Sequence, residues 1–528
     1  MSGFAYERLS AQDASFLWAE GPNEPMHIGG LAIFESGPLA LEGGGIDIAR
    51  YRDAIESVLH WLPRYRQRLD WTPIERWPIW VDDRAFDLGY HIRHISLPRP
   101  GTLDQLKELV GRIFSRQLDR GHPLWEIWVI EGLLEGEQFA VLNKVHHCMM
   151  DGSAGADVTQ ILMSPSPRTE PSEPLPYMPR AIPTPSTLAL ESLGLGIQRP
   201  LGALRRVFRS ALSDRAKSEE LVDGSRRNQV LREMLEYALR PASRTPINGK
   251  LGPHRHLEWM TMPMDHVAEV RKALDCTIND VVLATVTEAM RRYLFRRRID
   301  TRKLDFRVAA PVNVRGEGHD RQHGNHVSTW IVPLPLDTDD PLEQIRRTRE
   351  TTRTLKETNA ASVVDGLMNA AEFLPPIVLS KLPRLAQGPA NMIVTNVPGP
   401  QFPLYSVGAR LLGLYPLVPL MPGGGLGIAL FGYEGKLCWG FNADRELVPN
   451  LAAVAEDVRS AFESLRKRAI TDFISKRTAT PEVEEAPPKK EAKLETLAPR
   501  KKEKARRSPA NGADRTTPAA AAGQRAVQ

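Results

Sequence analysis

The stretch Ser164-Pro-Ser-Pro-Arg-Thr-Glu-Pro-Ser-Glu-Pro174, continuing in the same vein to Ser186, interrupts the chain. A segment of proline, serine and glutamate has too little apolar surface to bury a core, so it reads as a linker or an exposed crossover. With 528 residues the chain is already too long for one ordinary core. Strands and helices mix on both sides of the interruption, which predicts an α/β protein of two domains. The expected divisions are 1–163, a connecting region over 164–245, a second domain over 246–470, and a charged tail over 471–528. No aromatic residue follows Ile474, and Pro, Lys, Glu, Arg and Ala dominate there, so the tail is expected to be disordered.

Capping and periodicity place the main elements. Ser10 is the N-cap candidate of a short helix, with Asp13 at its third position. Helical spacing covers Ile46–His60, Leu103–Ser115, Met264–Ala273, Asp340–Lys356 and Leu451–Lys467. Thr277 can cap a helix that starts with Asn279-Asp280. Strands are expected in Gly30–Phe34, at Trp80-Val81, over Phe86–His94, and from Pro123 onward, where two tryptophans follow. The last of these pairs with Phe139–His146 through a hairpin at Leu133–Gln138. Later strands are expected over Phe306–Arg315, His326–Leu336, Met392–Pro400 and Lys436–Asn442. Between Arg410 and Glu434 there is no charge, but Pro416, Pro419, Pro422 and Gly423-Gly424-Gly425 exclude a lipid-exposed helix. Buried strands joined by a Pro-Gly loop are expected there.

The chemistry concentrates where the apolar strand Phe139–Val145 runs into His146-His147. Neighbouring residues on a strand face opposite ways, so only one of the two rings can enter a given cavity. The other is free to be held in the fold. A neutral imidazole titrates near neutrality and suits a general base acting on a hydroxyl or thiol. Asp151 follows four residues after His147 and is close enough to fix local geometry. The stretch carries no Gly-x-Ser-x-Gly nucleophile elbow and no i, i+4 histidine pair of a zinc helix. Direct transfer therefore fits better than a covalent or metal mechanism. The cysteines Cys148, Cys276 and Cys438 are odd in number and widely spaced, which suggests neither a disulfide framework nor a zinc site.

His146-His147-Cys-Met-Met-Asp151-Gly152 matches the His-His-x-x-x-Asp-Gly signature of the coenzyme-A-dependent acyltransferase superfamily, which includes condensation domains of peptide synthetases. From about Leu9 to about Leu465 the chain resembles the bacterial wax ester synthase/acyl-CoA:diacylglycerol acyltransferases. The likeness is carried by Leu9–Trp18, Pro25–Phe34, Pro123-Leu-Trp125, Asn279-Asp280, Pro311–Arg315, Gly324-Asn325 and Met392–Pro400. It implies the chloramphenicol-acetyltransferase-like fold, with a channel between the domains. His147 would be the base and His146 an orienting or structural partner. Asp151 would hold geometry, paired with Arg315. Asn279, at a helix N-terminus, would donate to the thioester oxygen. Trp125, Gly152, Gly324 and Asn325 would line the substrates' path.

The implied reaction moves a long-chain acyl group from acyl-CoA, a co-substrate, to diacylglycerol. Triacylglycerol results, or wax ester when a fatty alcohol is the acceptor; no cofactor or metal is implied. Two alternatives stay open: a condensation-type enzyme using a carrier-protein thioester, and a non-catalytic protein of lipid surfaces. The net charge of +5 gives a mild preference for anionic surfaces, and no nucleic-acid motif is present. The N-terminus lacks an apolar signal core. A cytoplasmic protein touching a membrane or lipid droplet peripherally is expected. The basic amphipathic stretch Leu201–Leu212 is a second place to look for that contact.

Overall fold

Short polar side chains set the helix starts. In a computed structural model, which describes residues 6–149, 161–167, 173–190, 240–313, 327–357 and 388–478, strand β1 (Tyr6–Arg8) leads into α1 (Ala11–Ala19). Ser10 Oγ accepts from the Asp13 N–H at 3.0 Å, as its position predicts. Then come β2 (His27–Glu35), α2 (Ile48–Val58), β3 (Gln67–Trp71), β4 (Pro78–Asp82), α3 (Leu88–His91) and β5 (Ile92–Ser96). Phe86–His94 is therefore not one strand. Asp87 accepts from the Gly89 N–H at 2.8 Å and starts a turn of helix before β5 begins.

Helix α4 (Leu103–Phe114) carries a capping box between Thr102 and Gln105. The hairpin of β6 (Trp125–Leu133) and β7 (Gln138–His146) follows. Leu134, Glu135 and Gly136 make its turn with positive φ. Further strands and α-helices among the described residues are β8 (Arg255–Pro263), α5 (Met264–Leu274), α6 (Ile278–Arg296), β9 (Arg307–Asn313), β10 (Val327–Pro333), α7 (Pro341–Glu357), β11 (Met392–Val397), β12 (Tyr405–Ser406), β13 (Ala409–Leu417), β14 (Leu426–Tyr433), β15 (Lys436–Asp444) and α8 (Leu451–Thr478). The closing helix runs well past Lys467, because Ala469 is still fully buried against the core.

Among the described residues, three sheets result. A small one has the order β1-β4-β3. A six-stranded sheet of the first half has the order β12-β13-β2-β7-β6-β5, and a six-stranded sheet of the second half the order β10-β9-β11-β14-β15-β8. The second sheet shares one core with α5, α6, α7 and α8, including Val270, Val286, Ile345 and Phe462. Each such fully buried side chain contributes roughly 1.5–3 kcal/mol relative to exposure. The first sheet buries one face against α4, through Leu106 and Val110. Its other face holds Phe34, Trp125 and Val145.

The division into halves is not clean. Strand β13 leaves the second half and pairs with β2, from Leu411 opposite Phe34 to Leu417 opposite Gly29. To do so it passes directly over β15: a Cβ at Gly440 would lie 1.9 Å from the Pro416 carbonyl oxygen. Only a residue without a side chain fits that crossing. The described residues up to Arg477 form one compact unit. The region 191–239, with the amphipathic stretch 201–212, and the tail 479–528 lie outside the described residues. Among the described residues, no helix is long and apolar enough to cross a membrane.

Candidate functional site

Strand alternation builds a slot between the two large sheets. From the first sheet, Ile28, Gly30 and Ala32 of β2 and Val141, Asn143 and Val145 of β7 point into it. Ile393, Thr395 and Val397 of β11 and Ala429 and Phe431 of β14 face them from the second sheet. The cavity is about 460 Å³, mostly apolar and open to the outside on part of its surface. His147 lines it at one end, just past the last residue of β7. Tyr51, hydrogen-bonded to Ser406, and Ile127 line it as well. From Val141 the extended strand runs five residues to His146, with His147 one step on, a run of roughly 20 Å. A pocket this long and mostly apolar, with the His147 imidazole on its wall, has room for an extended acyl chain.

The two histidines part company as alternation requires. The His147 ring lies on Phe16 of α1, with centroids 3.9 Å apart and planes 10° from parallel. Its backbone N–H donates to the Met26 carbonyl at 2.8 Å. His146 is 1% exposed and does not line the cavity. Its Nδ1 accepts from the Cys148 N–H at 3.1 Å, so in the neutral ring Nε2 carries the hydrogen. Nε2 points toward Glu20 Oε1, 3.6 Å away. Burial alone would raise the Glu20 carboxyl, yet the His146 ring and the Arg120 guanidinium hold it down to about 2. Burial pushes the Cys148 thiol well above its ordinary value, which argues against a thiolate nucleophile beside His147.

Nearby polar groups fix the frame. His27 is fully buried, and its Nε2–H donates to the Phe114 carbonyl at 2.8 Å. Lys144, 1% exposed, donates through Nζ to the Ile113 carbonyl at 3.2 Å and to that of Arg116. It thereby caps the C-terminus of α4, and burial lowers it to about 8. A Cβ at Gly29 would meet the Asn143 carbonyl at 2.6 Å and the Phe114 ring at 2.7 Å, so α4 closes on this strand only at a glycine.

Two expected site residues lie elsewhere. Trp125 does not line the cavity. It is fully buried, donates from Nε1 to the Tyr65 carbonyl at 2.7 Å, and stacks on His91 at 4.3 Å. The segment after α2 and the turn α3 cover it, so it belongs to the core. Asn279 does not line the cavity either. It is exposed at the start of α6, and its Oδ1 accepts from Asn396 Nδ2 at 2.9 Å. Asn396 alternates with Thr395 and Val397, so it sits on the face of β11 turned from the slot. Its neighbour Asp280 closes the capping box with Thr277 and accepts from Thr352 Oγ1 at 2.8 Å, a structural role. Asp151, Gly152, Arg315, Gly324 and Asn325 lie outside the described residues.

Several contributors escaped the sequence reading. Phe16 and Glu20 sit one helical turn apart on α1, and a charge ending the apolar run Phe16-Leu-Trp-Ala-Glu20 was the available signal. Asn143 was visible as a polar break in Phe139–Val145. Its Oδ1 is buried without a hydrogen-bond partner among the described residues, on a strand face it shares with Val141 and Val145.

Residues 9–282 match the family model described as the wax ester synthase/diacylglycerol acyltransferase catalytic domain, and residues 323–466 match the WS/DGAT C-terminal domain. The chain belongs to the wax ester synthase/diacylglycerol acyltransferase family. It is 32% identical to a Mycobacterium tuberculosis protein named as a probable diacylglycerol O-acyltransferase, over 88% of this chain and 97% of that one. A solved wax ester synthase/diacylglycerol acyltransferase from Marinobacter aquaeolei VT8 superposes with a TM-score of 0.58 at 25% identity, covering 88% of this chain and 99% of the other. The first condensation domain of the calcium-dependent antibiotic synthetase superposes at 0.55 with 15% identity, over 88% and 97% of the two chains. That likeness shows the shared two-sheet fold. Family membership makes the chain an acyltransferase.

Proposed function

We propose that the protein moves a long-chain acyl group from acyl-CoA to the free hydroxyl of diacylglycerol, with fatty alcohols as a second class of acceptor. The observation that carries this reading is the position of His147: a base on the wall of a long apolar slot between the two sheets. The acceptor named in the M. tuberculosis relative supports diacylglycerol, and the Marinobacter relative's name adds wax ester formation.

His147 takes the proton from the acceptor hydroxyl. The alkoxide oxygen attacks the thioester carbonyl carbon and forms the new C–O bond. The tetrahedral intermediate collapses, the C–S bond breaks, and the coenzyme A sulfur leaves with the proton returned by the imidazolium. Each step balances with acyl-CoA and alcohol alone. Asp151, His146 and the residues around Gly152 and Gly324-Asn325 serve geometry and substrate contact in this reading. The acceptor is a membrane lipid, so the protein meets a membrane or lipid-droplet surface peripherally to collect it.

The test is coenzyme A release by the purified protein from palmitoyl-CoA, with dioleoylglycerol and hexadecanol offered separately. His147→Ala should lower the rate by roughly 10²–10⁴-fold while the protein stays folded. Full activity in that variant would end the base assignment. Turnover with hexadecanol and none with dioleoylglycerol would overturn the acceptor assignment.

A further inference from the structure

We propose that Glu20 is the positioning residue that holds His147 in its working place. The inference rests on the reading of His147 as the base. Glu20 closes α1, donating its backbone N–H to the Phe16 carbonyl at 3.1 Å. Phe16 is the ring on which His147 lies. Glu20 Oε1 accepts from the Met26 N–H at 3.2 Å, and the Met26 carbonyl accepts from the His147 N–H. The same oxygen faces the His146 ring, whose Nδ1 takes the Cys148 N–H. The peptide groups on both sides of the His147 α-carbon are thus anchored through partners of one carboxylate, and the face of its ring through the helix that this residue ends.

The chemistry requires a carboxylate. Glu20 Oε2 is taken by Arg120, through Nη2 at 2.7 Å and Nε at 3.2 Å. Both oxygens therefore accept. A glutamine has a single acceptor oxygen, so it must leave either the Met26 N–H or the Arg120 guanidinium unmatched. The Glu20 side chain is 2% exposed and Met26 is buried, so a Met26 N–H left unmatched there is not rescued by water, whereas the half-exposed Arg120 guanidinium would lose its anchoring role on the carboxylate. Hydrogen bonds to a charged acceptor are roughly twice as strong as neutral ones, which suits a part that sets geometry.

The experiment compares Glu20→Gln, Arg120→Met and His147→Ala in the full chain, with steady-state kinetics on palmitoyl-CoA and dioleoylglycerol and a melting curve for each. Glu20→Gln should remain folded, lose about tenfold or more in kcat, and keep both KM values within about twofold. Arg120, whose side chain is 40% exposed, anchors only one carboxylate oxygen, so Arg120→Met should show a smaller fall in kcat with the same unchanged KM. An unchanged kcat in folded Glu20→Gln, or a raised KM at constant kcat, overturns the inference. Should Glu20→Gln not fold, Arg120→Met decides, and an unaltered kcat there overturns it. An active His147→Ala would instead sink the base assignment. An inactive His147→Ala beside a fully active Glu20→Gln would remove the role of Glu20 alone.

Discussion

The Phe16 and His147 rings lie nearly parallel, 3.9 Å apart at their centroids, so a helix near the N-terminus sets the orientation of a side chain at the end of β7. Phe16 also lines the slot. Aromatic pairs are worth about 0.5–1.5 kcal/mol beyond their buried area. Phe16→Ala should therefore lower kcat roughly two- to tenfold, with Phe16→Leu between it and the wild type. Steady-state rates at saturating substrates read this out; equal rates in all three proteins would show that the stack does not orient the base.

Ala32 should gauge the acyl chain. It projects into the slot from β2, opposite Val141 and roughly 20 Å along the strands from His147. Ala32→Phe fills that far stretch. The variant should raise KM for palmitoyl-CoA and spare octanoyl-CoA, shifting the ratio of kcat/KM values by about tenfold or more toward the short chain. A constant ratio would place the acyl group elsewhere.

Trp125 should matter to stability and little to catalysis. Trp125→Phe leaves the Tyr65 carbonyl without its 2.7 Å donor in a dry place. A loss of about 1–3 kcal/mol in urea unfolding is expected, with kcat/KM near the wild-type value below the transition. A specific fall in kcat/KM from a fully folded variant would put Trp125 back on the substrate path.

Acid stability should depend on Glu20. Its carboxyl is held at about 2 in the folded protein, against 4.5 ordinarily. A carboxyl depressed on folding stabilises fully above its unfolded value and loses that contribution as the pH drops toward its folded value. Stability should thus decline between about pH 5 and pH 2, with about 3 kcal/mol from this group. Glu20→Gln should be less stable at neutral pH and show a shallower decline. Parallel melting-temperature profiles for the two proteins would refute this.

What could be read from the chain without its structure was local. Ser10 with Asp13 and Thr277 with Asp280 announce helix starts, because a cap is a contact between residues three apart. The β6–β7 hairpin and the opposite facing of His146 and His147 follow from period-two alternation for the same reason. Trp125 was misplaced because periodicity identifies a face and not what covers it; here Tyr65 and His91 do. The contact of Asn279 with Asn396 was not legible, because a helix N-terminus says nothing about which side of a neighbouring strand it adjoins. The pairing of β13 with β2 joins segments hundreds of residues apart, and no local pattern encodes it.

That pairing limits how substrates come and go. The ladder from Leu411 to Leu417 ties β13 to β2, and β13 crosses β15 at Gly440 with no clearance. Spreading the two large sheets like a clamshell would tear this ladder, as well as the packing of Phe431 and Cys438 against the first sheet. The slot consequently works as a sleeve of fixed bore. A lipid chain in it would lie lengthwise, along the strands of the two sheets, with one end toward His147.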